Sequence, residues 1–278
     1  MDQLALGKLL MRIGDLPSLP HIASNVLKLT DDPNSTPGEI CGVICQDQVL
    51  ASKVLKVVNS AYYGLPRRIA TISEAITILG LQTLRTLVIG TSVYKTLTSL
   101  RVNNAARPEQ VWQHALACAV SSKIIALELG ISQKEHAFMA GLLHDIGKII
   151  LNSFNGPDYI KALELQSVRG CPLVDAEQEV LNVTHAEVGK MVAEKWSLPA
   201  VLVDPIGYHH TPLDKVRNPE LVMVVHLADI MSMMAGYSTA GNSDFGVNPE
   251  VLRSAGISFD QLINISGEIR GTISLELI

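Results

Sequence analysis

The sequence predicts an all-α protein built as a multi-helix bundle. Apolar residues recur every three or four positions along almost the whole chain, which is the spacing of one helix face. No segment alternates apolar and polar residues over more than about five positions, as a half-buried strand would. Hydrophobic residues make up 47% of the 278 residues but aromatic residues only 4%. The core must therefore consist mainly of aliphatic side chains and Met.

Charge and cysteine content exclude several classes of protein. The formal net charge of −5 argues against a surface for nucleic acid, which needs a strong basic excess. The four cysteines contain no Cys-x-x-Cys pair, which predicts a reduced, cytoplasmic protein. The N-terminus lacks the apolar core of a signal peptide, and no uncharged apolar run reaches the roughly 18 residues of a membrane helix. We therefore expect neither nucleic acid nor a membrane as a partner.

The first elements of the chain are predicted to be short helices. In residues 20–32, the side chains of Ile22, Val26 and Leu29 fall on one helix face. The next helix is expected to begin after Ser35 or Thr36 as the N-cap, with a proline in its first turn. Tight turns are expected between these helices.

Three further helices complete the first hundred residues. Residues 48–60 have Val and Leu on one stripe. Residues 71–80 have Ser73 before an acidic residue at the start and Gly80 as a stop signal at the end. Residues 81–97 follow at once as another helix.

The polar, aperiodic residues 98–110 are the predicted boundary between two helical halves. After them, one long helix is expected to end at Gly130, and another to extend over residues 134–154. Thr184 with Glu187 three positions later predicts a capping box at a helix start. Further helical segments are expected at 199–210, 218–234 and 248–269, and a surface loop at 238–249.

One stretch of the second half places polar residues inside an apolar run. The sequence GLLHDIGKII, residues 141–150, contains His144, Asp145 and Lys148. Charged side chains are almost never fully buried without partners, so this run calls for an explanation. Lys148 lies one turn beyond His144 on the same helix face, where it could reach a phosphate oxygen or extend into solvent.

Other His and Asp residues occupy similar apolar surroundings: His114, His185, His209, His210 and Asp229. Each histidine alone could be a hydrogen-bonded core residue, a helix cap or a turn residue. Carboxylates on apolar helices are harder to explain, because buried charges need partners. Together the nitrogen and oxygen donors suit one or two divalent ions, namely iron or manganese, or else zinc or magnesium. An Asp can bridge two such ions about 3.5–4 Å apart and so help to activate a water for phosphoester attack.

The run AGLLHDIGK resembles the signature of the HD superfamily of metal-dependent phosphohydrolases. The order of the His and Asp residues is similar to that of the HD-GYP branch, which hydrolyses cyclic di-GMP. This resemblance implies that Asp145 and Lys148 are catalytic, with Asp145 bridging two ions and Lys148 on the phosphate side. It also implies the metal ligands His114, His144, Asp145, His185, His209, His210 and Asp229. Two features differ from that branch: Gln110 replaces a Glu one turn before the first His, and HHTPLDKVRN lacks a Gly-Tyr-Pro loop.

Residues 16–85 closely resemble the HDOD domain, the HD-related output domain of bacterial signalling proteins. The resemblance is strongest in DPNST, QDQVLASKVLKVVNSAYYG and ISEAITILG. It implies an HDOD domain over residues 10–235, with an N-terminal helical half at about 1–100 and an HD-like half at about 108–235. Residues 236–278 are then expected to form a C-terminal loop and helix that pack on this domain.

The resemblance implies a bacterial signal-transduction output or regulatory module that retains an HD-type His/Asp metal centre. Its expected partner is a signalling protein. The alternative is an active metal-dependent phosphohydrolase on a cyclic dinucleotide, a nucleotide or another phosphoester. A third hypothesis is a structural interaction module in which the His and Asp residues bind no ligand.

The segment NSAYYGLPRRI, residues 59–69, forms a polar and aromatic turn between two apolar helices. It is either a rigid connector, with Tyr62 and Tyr63 packed over the core, or a presented surface. In the second case Arg67 and Arg68 are offered to an acidic partner or a phosphate. The sequence alone is compatible with both.

Overall fold

The computed structural model describes residues 19–60, 63–98, 108–238, 247 and 249–272. These residues form helices and connecting turns and contain no strand, so the predicted all-α class is confirmed. Among them, no helix combines the length and apolar character needed to span a membrane. The predictions for the N-terminal 18 residues, for Tyr62, for residues 99–107 and for most of the 238–249 loop lie outside the described residues.

The chain divides into two compact units. The described residues of the first are 19–60, 63–96 and 270–272, and those of the second are 97–98, 108–238, 247 and 249–269. The first unit is built from α1 (His21–Asp31), α2 (Pro37–Cys45), α3 (Gln48–Val58), α4 (Ile72–Leu79) and α5 (Leu81–Thr98). In this unit α2 packs against α1, α3 and α4.

Capping side chains set where these helices begin. Thr36 is the N-cap of α2 and forms a capping box with Glu39, as one of the two sequence alternatives expected. Helix α4 begins at Ile72 because Thr71, not Ser73, accepts a hydrogen bond from the Glu74 amide. An N-cap oxygen reaches the amide two or three residues later, and Ser73 already lies inside the first turn.

The second unit contains the remaining helices. They are α6 (Pro108–Glu128), α7 (Lys134–Leu143), α8 (Ile146–Phe154), α9 (Gly156–Arg169), α10 (Leu173–Leu181), α11 (His185–Lys195), α12 (Ala200–Tyr208), α13 (Pro219–Met234), α14 (Pro249–Ala255) and α15 (Phe259–Thr272). Helix α6 packs against α7 and α13, α11 packs against α8 and α12, and α12 also contacts α7 and α13. The predicted capping box of Thr184 and Glu187 starts α11.

The single helix predicted over residues 134–154 is wrong, because it is interrupted at His144 and Asp145. Asp145 has φ −98° and ψ 13°, outside the helical region, and separates α7 from α8. Adjacent residues on a continuous helix point about 100° apart. The interruption allows both side chains to enter one centre, which an unbroken helix would prevent.

Helix α8 approaches α11 so closely that only glycine fits at position 147. A Cβ atom there would overlap the carbonyl oxygen of His185 and lie 2.9 Å from the amide nitrogen of Gly189. Backbone atoms cannot move aside as a flexible side chain can. The absence of a side chain at Gly147 therefore allows the main chain of His185 to lie against α8. Asp145, two residues before Gly147, is thereby close to His185.

We expect Gly147→Ala to lower the free energy of unfolding by about 1–3 kcal/mol or more, because the methyl group must displace main-chain atoms. Urea unfolding followed by circular dichroism measures this. The matched control is Gly267→Ala on α15, where an added Cβ meets no atom within 4 Å. That control should stabilise the helix by about 0.5–1 kcal/mol. Equal stabilities of the two variants would refute the close approach of α8 and α11.

Candidate metal centre

The second unit brings all seven predicted ligand residues into one buried cluster. They come from different elements: His114 from α6, His144 and Asp145 from the break between α7 and α8, His185 from the first turn of α11, His209 and His210 from the end of α12, and Asp229 from α13. Six of them are at most 6% exposed, and His210 is half-buried. Residues far apart in the chain thus share one interior site.

The ligand atoms fall into two groups, each within 4.8 Å. The first group consists of His114, His144 and Asp229, and the second of His185, His209 and His210. His144 and His209 also group with Asp145, which lies between the two sets. Each group has the three protein ligands of an ordinary metal site.

The carboxylate of Asp145 directs one oxygen towards each group. Its Oδ2 lies 3.3 Å from Nε2 of His114 and 3.4 Å from Nε2 of His144. Its Oδ1 lies 3.3 Å from Nε2 of His185 and 3.8 Å from Nε2 of His209. This is the placement that a carboxylate bridging two ions requires.

Hydrogen bonds at the outer ring nitrogens orient three of the histidines. A main-chain carbonyl accepts from Nδ1 in each case: Tyr237 O at 2.7 Å from His114, Gly141 O at 2.7 Å from His144, and Ile206 O at 3.0 Å from His209. A carbonyl can only accept, so a proton resides on Nδ1, and Nε2 is the ring nitrogen that faces the centre. Metal-ligating histidines are commonly oriented in this way.

The inward-facing nitrogens lie too close together to be stable as bare lone pairs. Nε2 of His114 is 3.3 Å from Nε2 of His144, and Nε2 of His185 is 2.9 Å from Nε2 of His210. A proton or a cation must lie between such atoms. In addition, Oδ1 of Asp145 and Nε2 of His209 are buried without a hydrogen-bond partner. Unsatisfied buried acceptors that converge in this way fit divalent metal ions.

The electrostatics keep the carboxylates ionised. Burial alone would raise the pKa of Asp145, but His144 and Lys148 hold that pKa well below its usual range. Burial likewise opposes ionisation of Asp229, yet hydrogen bonds from His114 and His144 lower its pKa well below the usual value. Both side chains are therefore available as anionic ligands at neutral pH.

The histidines differ from one another in their pKa values. Burial lowers the pKa of His144, but the charge of Asp145 outweighs burial and raises this pKa well above its usual value. Burial and the neighbouring His185 together lower the pKa of His210 to about 3. His210 is therefore neutral, the state in which imidazole binds a metal. A metal ion at the first group would have to compete with protons.

Lys148 contacts the carboxylate between the two groups. Its Nζ lies 2.6 Å from Oδ2 of Asp145, and its side chain is only 12% exposed. Burial alone would lower the pKa of Lys148, but the charge of Asp145 raises it above its usual value. The amino group thus lies inside the centre and does not extend into solvent.

Glu177 on α10 is a member of the site that sequence reasoning missed. Its side chain is fully buried, and its Oε2 accepts hydrogen bonds from the main-chain nitrogen of His185 at 2.8 Å and from Nδ1 of His185 at 2.7 Å. This carboxylate orients the His185 ring as the carbonyls orient the other rings. The sequence did contain a sign of this role: Glu177 lies on the apolar face of α10, beside Leu173, Ala176 and Leu181, where a charged residue needs a buried partner.

Gln110, the residue that replaces the expected Glu, does not join the cluster. It lies in the first turn of α6 and is exposed, whereas His114 one turn later is buried. The anionic side chains at this centre are therefore Asp145, Asp229 and Glu177 among the described residues.

Comparison with known proteins gives a family and a set of similar folds. The family model described as HDOD domain matches residues 16–212. An HDOD domain protein of unknown function from Geobacter sulfurreducens has a TM-score of 0.78 at 24% identity, covering 98% of this chain and 99% of that one. A candidate phosphohydrolase from Shewanella amazonensis has a TM-score of 0.74 at 25% identity, covering 97% and 96%.

Two relatives by sequence are longer than this chain. An uncharacterized protein of Treponema pallidum is 30% identical over 200 residues, which is 72% of this chain and 38% of that protein. Ribonuclease Y of Pelobacter propionicus is 31% identical over 124 residues, which is 45% of this chain and 18% of that enzyme. The matches thus cover well under half the length of both relatives.

We expect removal of bound metal to lower the melting temperature by roughly 5–10 °C, because an ion at a hundred times its dissociation constant stabilises the fold by about 2.7 kcal/mol. Calorimetry with and without a chelator, together with elemental analysis, measures this. Asp145→Asn should lose both the metal and the chelator effect. The control Asp158→Asn removes an exposed carboxylate that pairs with Lys161 and should keep both. Wild-type protein that contains no metal and ignores the chelator would contradict the site.

We expect Glu177→Gln to weaken metal binding by about 10- to 100-fold, because the amide carries no charge to support the His185 ring. Isothermal titration with a divalent ion measures the affinity. Glu179→Gln is the matched control, since Glu179 is on the same helix but pairs with Arg169 in exposed positions. If both variants bind the ion as the wild type does, Glu177 has no role in orienting the ligand.

Proposed function

Because this chain belongs to the HDOD domain family, we propose that it is a bacterial signal-transduction output or regulatory module with an HD-type centre for one or two divalent ions. The metal ligands in this proposal are the seven His and Asp residues of the buried cluster, and the favoured metals are iron or manganese, with zinc or magnesium as the other choices. The observation that carries the proposal is the Asp145 carboxylate, with one oxygen facing each histidine group.

Burial of the centre favours regulation over catalysis. His144, His185 and His209 are each 0% exposed, and Asp145 is 3% exposed. A catalytic ion keeps a coordination position open for substrate, and the burial of these ligand side chains limits the access of a substrate to such a position. The exposed Gln110 also leaves the centre without the anionic ligand that the HD-GYP pattern has at this position.

The second candidate function is a metal-dependent phosphohydrolase on a cyclic dinucleotide, a nucleotide or another phosphoester. A pair of divalent ions would activate a water and stabilise the leaving oxygen. In this reading Asp145 holds the ions and Lys148, with its ammonium group 2.6 Å from that carboxylate, meets the phosphate. The names of the ribonuclease Y relatives and of the Shewanella protein favour phosphoester chemistry.

The proposed setting is the reducing cytoplasm, with a signalling protein as the partner. All four cysteines are free thiols, two of them 3.9 Å apart on α2 without a disulfide. Free thiols are the usual state in a reducing compartment, which supports this location.

We expect the metal-loaded protein to retain its ion but to hydrolyse bis(p-nitrophenyl) phosphate, 2′,3′-cyclic AMP and cyclic di-GMP no faster than Asp145→Asn does. Burial of the ligand side chains is expected to restrict the access of these substrates to the ions. Steady-state rates and elemental analysis on the same samples check the prediction. Turnover that is lost in Asp145→Asn and reduced in Lys148→Met would establish the phosphohydrolase instead.

A further inference from the structure

The first unit contains an elongated groove that the metal centre does not involve. A cavity of about 1180 Å³ lies between α3 and residues 64–70. Helix α3 lines it from Gln48 to Asn59 at a spacing of three to four residues, so one wall follows the helix for three turns. Eleven residues of helix rise give a wall roughly 16 Å long.

Hydrogen bonds hold the opposite wall in place. The Asn59 side-chain amide donates to the carbonyl oxygens of Leu55 and Ile69, both at 2.8 Å, and its oxygen accepts from the Ile69 amide at 2.6 Å. The Ala70 amide donates to Oε2 of Glu74 at 3.1 Å. A groove fixed in this way loses little conformational entropy when a ligand binds.

The surface of the groove combines an apolar floor with positive charge. Leu55, Leu65 and Pro66 provide apolar surface, and the charged lining residues are Lys56, Arg67 and Arg68. No Asp or Glu lines it within the described residues, although the chain as a whole carries a net charge of −5. The groove is thus a local basic surface on an acidic protein.

Arg68 is the cation most available to a ligand. It is exposed and forms no hydrogen bond or ion pair with the described residues. Arg67 by contrast pairs with Glu74 at 2.8 Å, although its side chain is 73% exposed. The side chains of Gln48 and Ser52 are exposed on the α3 wall and are likewise unpaired in the described part of the chain.

We propose that this groove binds an extended acidic peptide segment of a partner protein. At about 3.3 Å per residue, a wall of this length accommodates roughly five extended residues. Alternate side chains of such a segment would rest on the apolar floor, while carboxylates between them pair with the cations. A compact anion such as phosphate would leave most of the wall without contacts. This binding site is independent of the proposed metal function, and its test uses no metal.

The test is fluorescence anisotropy of the full chain with a labelled peptide of alternating Glu and Leu, against a peptide of alternating Lys and Leu. The acidic peptide should bind and the basic one should not. Arg68→Glu should weaken binding by roughly tenfold or more, the effect of losing one charge-assisted hydrogen bond. In Glu74→Gln, the amide oxygen can still accept a hydrogen bond from the Ala70 amide, but Arg67 loses its ion pair. This variant should bind the acidic peptide more strongly, because Arg67 is then available to it.

The matched control is Lys53→Glu, an equal change of charge on an exposed residue of α3 that does not line the groove. It should change the affinity by no more than about twofold, the residual effect of a screened charge. Three outcomes overturn the proposal: no binding of the acidic peptide at about 1 mM, equal losses in Arg68→Glu and Lys53→Glu, or displacement of the peptide by inorganic phosphate or a single-stranded oligonucleotide.

Discussion

The burial of the Asp145 carboxylate is the constraint on which the second unit depends. An ionised group removed from water costs several kcal/mol unless charges and hydrogen bonds of opposite sign surround it. The chain supplies Lys148 at 2.6 Å and the inward nitrogens of His114, His144 and His185 within 3.4 Å. These partners come from separate helices, so α6, α8 and α11 must all meet at one point. The helices must therefore pack in an arrangement that also surrounds the Asp145 carboxylate with its partners.

Local backbone features follow from that requirement. The chain leaves the helical conformation at Asp145, because an unbroken helix cannot direct two adjacent side chains into one site. Gly147 has no side chain, because the His185 carbonyl occupies the space that a Cβ would need. Glu177 is buried against the same residue, with His185 as the partner of its Oε2. All three features lie around Asp145 and His185.

The sequence predicted the features that depend on periodic apolar residues or on contacts between residues close in the chain. The helical class follows from periodicity, and the N-cap Thr184 from an oxygen atom that reaches the amide three residues later; Thr36 was one of two N-caps expected for α2. The grouping of His114 with Asp229 was expected from their shared apolar surroundings. The break at Asp145 escaped prediction, because neither Gly nor Pro marks it and the apolar run continues through it. Glu177 escaped because its partner is eight residues away across a turn, a contact that only the tertiary structure defines.

The charges around the centre limit how many ions it can hold. When the imidazoles are neutral, as metal binding requires, the three carboxylates of Asp145, Asp229 and Glu177 and the one ammonium of Lys148 leave two net negative charges in a buried site. One divalent ion would neutralise these charges, whereas a second ion would leave an excess positive charge that burial makes costly.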